Sequence, residues 1–231
     1  MILPPLIHGR FLKRYQRFLV DVQLDDGQII TAHCPNSGSM MSCLEPMAEV
    51  FLSYSNNPQR KLPYTWEMIK INGIWVGINT NVPNRLIYEL LQTGAFTTVP
   101  KLENIRREVV FGDSRFDIFG EDNSESWYIE VKNVTLNDSG VARFPDAKTL
   151  RGQKHLKTLM EVMRQGHNAA MIYVIQRTDV HAFAPAWDID PIYSKLLLEA
   201  FESGVKIIPV QYQVTPDKIT PKRVIPFLTN R

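Results

Sequence analysis

The rhythm of hydrophobic and polar positions changes once along the chain, near Pro83. Before it, short β-like runs are predicted over residues 17–23, 28–33, 48–54, 65–71 and 74–79. Asp25-Asp26-Gly27, Pro35-Asn36-Ser37-Gly38, Asn56-Asn57-Pro58 and Asn72-Gly73 break them apart. Five short strands punctuated by turn residues predict a small β-barrel of the OB type, with an SH3-like barrel left open. After Pro83 a helix is predicted over 84–92, with Leu86, Ile87, Leu90 and Leu91 along one face. Strands follow over 108–112, 115–119 and 127–135, then a long helix over 149–165 buries Leu156, Leu159, Met160 and Met163 and stops at Gly166. The near-continuous apolar run 169–176 predicts a strand covered on both faces. A helix over 191–203, a strand over 205–212 and an irregular, proline-bearing tail from Thr215 complete the chain. The expected architecture is therefore all-β over residues 1–80, followed over 81–231 by an α/β domain with a mixed central sheet.

Period two also sorts the charged side chains. In Ser114-Arg115-Phe116-Asp117-Ile118-Phe119, alternation sets Phe116 and Ile118 on one face and Asp117 on the other. In Trp127-Tyr128-Ile129-Glu130-Val131-Lys132, it sets Trp127, Ile129 and Val131 opposite Glu130 and Lys132. The polar stretch 120–126 between the two runs has turn chemistry, so a hairpin should bring Asp117 near Glu130. Two carboxylates and an ammonium on neighbouring strands suit a divalent cation beside a phosphodiester. Glu-x-Lys alone is commonly a solvated pair, but here Glu130 lies inside an apolar strand.

Composition narrows the classes. The 231 residues contain 44% hydrophobic and 22% charged side chains, as in an ordinary globular protein. A net charge of +2 announces no polyanion partner, so any nucleic-acid affinity has to come from local patches. No run approaches the ~18 apolar residues of a membrane span, and Met1-Ile2-Leu3-Pro4-Pro5 lacks the pattern of a secretory signal, which makes the cytoplasm the expected compartment. Cys34 and Cys43 make no disulfide framework, and with His33 and His8 they are a poor zinc set, so buried thiols are expected.

Basic residues cluster in three places. Arg10, Lys13, Arg14 and Arg17 surround Phe11, Tyr15 and Phe18, and Arg60 and Lys61 precede Tyr64 and Trp66. Cations interleaved with rings suit a groove that follows a nucleic-acid strand. In the long helix and just before it, Lys148, Arg151 and His155 fall on one face and are candidates for phosphate contacts. Asp146 is read as a helix cap, and loop 36–39 as a set of amides facing an anion or as a plain hairpin loop.

A hairpin bearing Asp and Glu-x-Lys, then a helix and a buried strand, resembles the core of the PD-(D/E)xK nucleases. Five ordered motifs also resemble those of the sugar fermentation stimulation proteins (SfsA). They begin at His33-Cys34-Pro35-Asn36, Asn79-Thr80-Asn81-Val82-Pro83-Asn84, Ser114-Arg115-Phe116-Asp117, Ile129-Glu130-Val131-Lys132 and Phe144-Pro145-Asp146-Ala147, the last leading to Arg151-Gly152-Gln153-Lys154-His155. The family's Pro-Asp is Phe116-Asp117 here. The resemblance implies an OB-like domain, a nuclease-like domain and DNA binding linked to sugar-utilisation genes. The expected metal is Mg²⁺ or Mn²⁺, held by Asp117, Glu130 and the Val131 carbonyl, with Lys132 activating water or stabilising phosphate charge. By superfamily analogy Glu89 completes the metal shell, with Glu108 as a weaker candidate, and Gln153 supports the active site. The alternative is a non-catalytic regulator that grips DNA with a nuclease scaffold. Oligomeric state stays open, a homodimer included.

Overall fold

The computed structural model describes residues 1–123 and 125–230. Its first six strands are β1 (Ile7–Tyr15), β2 (Leu19–Leu24), β3 (Ile29–His33), β4 (Glu49–Tyr54), β5 (Tyr64–Ile71) and β6 (Ile74–Gly77). They pair in the order β3-β2-β1-β4-β5-β6, and a β3–β5 contact at His33–Thr65 closes the first five into a barrel. The expected number of barrel strands is met with a different membership. β1 joins the ring, and β6 is an added strand outside it. β1 escapes sequence patterning because its inward positions are Gly9 and Phe11, and the polar residues around them mask the alternation. Gly9 is required there: a β-carbon would lie 2.6 Å from Val22 Cγ1. Val20, Val22, Val50, Leu52, Trp66 and both thiols fill the interior, with Phe11 stacked on Trp66 at 5.3 Å. Both cysteines are free and buried.

The second unit starts with helix α1 (Val82–Gln92). Strands β7 (Glu103–Phe111), β8 (Ser114–Asp122) and β9 (Glu125–Val134) form an antiparallel meander, with Ser124 of the connecting turn outside the described residues. A small sheet of β10 (Leu136–Asp138), β11 (Val141–Phe144) and, later, β13 (Ala182–Pro185) lies beside it. Helix α2 (Leu150–Arg164) leads to β12 (Asn168–Ile175), and helix α3 (Pro191–Glu202) to β14 (Lys206–Val214) and β15 (Ile219–Val224). The main sheet runs β15-β14-β12-β9-β8-β7, with parallel pairing of β9, β12 and β14 and antiparallel flanks. β12 is covered on both faces, as its apolar run requires. The tail expected to be irregular instead supplies edge strand β15, because β14 offers it a free ladder. An edge position tolerates Pro221, whose missing N–H costs no ladder bond there.

Two cores flank this sheet. Phe116, Met171, Tyr173, Leu156, Leu159 and Leu197 belong to the one shared with α2 and α3. Ile118, Ile129, Val131, Ile172, Leu86 and Ile87 belong to the other, where Met68, Phe51 and Trp75 of the barrel pack as well. The barrel thus covers part of the sheet face next to α1. Hydrogen bonds tie the units: Gly77 N–H donates to the Gln176 carbonyl at 3.0 Å, and Ser42 Oγ donates to the Thr135 carbonyl at 2.9 Å.

Gly77 tests how tightly this junction is packed. A β-carbon there would lie 2.5 Å from Gln176 Oε1 and 3.0 Å from its Cβ. Gly77→Ala should cost roughly 1–3 kcal/mol of strain. For a chain of this size that lowers the thermal midpoint by roughly 3–10 °C. An unchanged midpoint in a melting curve would show that the junction yields freely.

Candidate metal centre

The β8–β9 ladder runs from Asp122–Glu125 back to Ile118–Ile129 and then stops. At the next residue the Asp117 carboxylate takes over, its Oδ2 accepting the Val131 N–H at 2.8 Å. A side-chain oxygen thus stands where a carbonyl would be, and the strands separate. Strict alternation breaks here. Phe116 packs towards α2 and Ile118 towards α1, contrary to the expectation that they share a face. The other Asp117 oxygen accepts Asn84 Nδ2 of α1 at 2.6 Å.

On β9 alternation holds: Glu130 and Lys132 project together and are paired through Glu130 Oε1. The same oxygen meets His155 Nδ1 of α2 at 2.5 Å. Arg151 Nε approaches His155 Nε2 at 3.5 Å. Arginine only donates, so Nε2 accepts and Nδ1 carries the proton given to Glu130. Burial works to raise the Glu130 carboxyl, but Lys132 and His155 together outweigh it and hold it below the ordinary glutamate range. Asp117 goes the other way. Burial, and after it the Glu130 charge, pushes its carboxyl up to about 6. Glu130 Oε2 is buried with no hydrogen-bond partner among the described residues.

These features fit a divalent cation. The donors are hard oxygens of the kind Mg²⁺, Mn²⁺ and Ca²⁺ prefer. One buried carboxylate oxygen lacks any partner among the described residues, and the two neighbouring negative groups repel until a cation lies between them. Asp117 and Glu130 would hold it. The Val131 N–H faces Asp117, and the carbonyl of the same strand residue points to that same side, so it is available as a third oxygen. Among the described residues no group of three or more His, Cys, Asp or Glu converges, so the shell must be completed by main-chain oxygen and water.

Both acids open into a cavity of about 740 Å³ between the barrel and the second domain. It is also lined by Arg14, Arg17, loop 36–39, Lys132, Asp146, Lys148 and Arg151. Of the basic candidates, Arg14, Arg17, Lys148 and Arg151 are brought together at this cavity. The structure does not gather the remainder there. Arg10 donates to the Met47 carbonyl, Lys13 pairs with Asp21, Arg60 donates to Thr65, and Lys61 is exposed on the loop before β5. His155 is 3% exposed and bound to Glu130, so it faces the acid pair and no phosphate can reach it.

Glu89 is not brought to the acids. It pairs with Arg85 one helical turn away at 2.6 Å, and Asn84 is the α1 residue that reaches Asp117. Glu108 likewise pairs outward with Arg115. Gln153 points to the α2–α3 contact, where Nε2 reaches both Asp190 oxygens at 3.0 and 3.1 Å, and His155 takes the supporting position expected of it. Asp190 also caps α3 through Tyr193 N–H and accepts the Thr149 N–H, so these bonds hold its carboxyl down despite burial. Asp146 is no helix cap, since Thr149 caps α2 and Asp146 Oδ2 accepts Met40 N–H of the barrel. Asn84 stands within a motif visible in the sequence, but its choice over Glu89 rests on how α1 is rotated against the sheet.

The raised Asp117 carboxyl has a measurable consequence in the metal-free protein. An unfolded aspartate titrates near ~3.9. Holding that proton therefore favours the folded chain fully below about pH 4, a contribution lost as pH rises through about 6. Between those limits, Asp117→Asn should gain up to about 3 kcal/mol relative to the parent. Denaturant titrations in EDTA across that range check it, and a pH-independent difference would count against the buried acid pair.

Sequence comparisons follow the same division. Residues 12–78 match the SfsA N-terminal OB domain, and residues 81–218 match the domain described as Sugar fermentation stimulation protein RE domain. A sugar fermentation stimulation protein homolog from Geobacter sulfurreducens is 51% identical over 230 residues, covering 99% of each chain. One from Citrifermentans bemidjiense is 47% identical over 225 residues, covering 97% of each. The solved structure of Pyrococcus furiosus SfsA in complex with Ca²⁺ superposes with a TM-score of 0.90 at 24% identity, over 99% of this chain and 98% of that one. That likeness shows the shared fold, and with relatives matching end to end, the chain belongs to the sugar fermentation stimulation protein family.

Proposed function

We propose that the protein binds DNA and cuts it with a divalent cation held between Asp117 and Glu130. The observation that carries this reading is Glu130 Oε2, a buried carboxylate oxygen without a partner among the described residues, beside the half-buried Asp117 at the base of a cation-lined cavity. Acids next to a polyanion repel it unless a cation intervenes, so a surface built only to grip phosphates has no use for the pair. The related protein from Pyrococcus furiosus is described in complex with Ca²⁺, an ion that takes the same oxygen donors.

A bound cation at this place supplies Lewis-acid polarisation of a phosphoryl oxygen and offsets charge in the displacement. The chain's own groups do the rest. Asn84 and the Val131 N–H fix the Asp117 carboxylate, and His155 with Lys132 fixes Glu130. The Lys132 side chain, 17% exposed at the cavity, is placed to orient water or to stabilise charge growing on phosphorus. Arg17, Lys148 and Arg151 then position the phosphate backbone.

Calorimetry with Mn²⁺ should detect a site in the parent that weakens at least about a hundredfold in Glu130→Gln, since a charged ligand is lost. Mg²⁺-dependent cutting of linear DNA should fall on the order of a hundredfold or more in Lys132→Met. Absence of metal binding by the parent would sink the proposal. The absence of a third converging acid among the described residues favours a second reading, a DNA-binding regulator that has kept the scaffold. DNA binding with no cutting under Mg²⁺ or Mn²⁺ would decide for it.

A further inference from the structure

The cavity that opens over the two acids is pinched between its walls. Its barrel wall touches the segment that leads into α2, for Met40 N–H donates to Asp146 Oδ2 at 3.2 Å. Gly38 lies so near that a β-carbon on it would sit 2.2 Å from the same oxygen. Arg14 pins loop 36–39 by donating to the Asn36 and Ser39 carbonyls at 2.7 and 3.3 Å. At the back, Thr135 is 4% exposed, and its carbonyl accepts Ser42 Oγ at 2.9 Å and Arg177 Nη1 at 2.5 Å. Chain can enter this space. These two contacts narrow the room in which it could run through.

Size points the same way. At about 740 Å³ the cavity falls within the ~300–1,000 Å³ of pockets that enclose a small molecule. That is room for one or two nucleotides. A duplex is gripped over roughly 1,000 Å² or more of open surface and presents a major groove ~12 Å wide. The rim carries what an unpaired strand needs. Arg17 on the barrel side and Lys148 on the helix side are exposed and have no side-chain partner among the described residues. Next to Arg17 in the chain, and outside the residues that line the cavity, Phe18 is 47% exposed with its ring stacked on His33 at 6.5 Å, a face on which a base can lie.

The geometry points to a single-stranded DNA end as the ligand of this cavity, threaded past Phe18 and between Arg17 and Lys148 towards the paired acids. This rests on the DNA reading above and adds the form of the substrate. Three labelled probes test it by fluorescence anisotropy: a linear single strand, the same strand circularised, and a blunt duplex of that sequence. The linear strand should bind at least about tenfold tighter than either of the others, the scale of one stacked base plus its phosphate contact. Phe18→Ala should remove much of that advantage on the linear strand, and Arg17→Ala with Lys148→Ala should flatten its salt dependence. Equal affinity for the circle overturns the requirement for an end. Equal affinity for the duplex overturns the requirement for an unpaired strand, and in both cases DNA binding itself stands. Failure of all three probes to bind removes the inference together with the DNA reading.

Discussion

One hydrogen bond organises the site: the Val131 amide donated to the Asp117 carboxylate. In an unbroken hairpin that amide would pair with a carbonyl of β8, and the two acids would sit on a continuous sheet. By accepting it with a side chain, Asp117 ends the ladder and opens a gap between strands in the interior of the protein. The backbone donor remains satisfied, as burial demands. The carboxylate is drawn into the sheet, close enough to Glu130 for each charge to act on the other.

The resulting imbalance is what the surroundings manage. Lys132 and His155 converge on one oxygen of Glu130 and leave the other bare. Asp117 has only neutral donors, Asn84 and an amide, and its carboxyl rises accordingly. Removing one partner from a buried charged group is costly, so the arrangement is stable only with the remaining groups well fixed. Fixing comes from outside the sheet. The Asp190 bonds to Thr149 and Gln153 bind the start of α2 to α3, which holds His155 against Glu130. Gln153 therefore acts on the helix that carries His155, and the acids themselves are out of its reach.

The barrel contributes the other half of the enclosure. Its loop after β3 reaches Asp146, its strand β6 meets the end of β12, and Met68 joins the sheet core. Neither unit alone forms the cavity. Arg14, read from sequence as a phosphate contact, spends its donors on the carbonyls of Arg17, Asn36 and Ser39 and shapes the wall. Arg17 and Lys148, which spend theirs on nothing among the described residues, remain free for a ligand.

Local pattern alone determined much of this. Period two places Glu130 and Lys132 together in any strand, and turn chemistry between two runs is enough to bring Asp117 back towards them. The apolar run of β12 and the glycine stop after α2 were equally readable, because each depends on residues next to one another in the chain. What tertiary structure decided are choices between near-equal local options. β1 is a strand although only Gly9 and Phe11 face inward, since β2 and β4 offer it partners on both sides. β15 exists because β14 had an open edge. Rotation of α1 selects Asn84 over Glu89, and packing of α2 against α3 selects His155 over Gln153. A helix offers all its faces to sequence analysis alike, and only the neighbour it buries against determines which one meets the site.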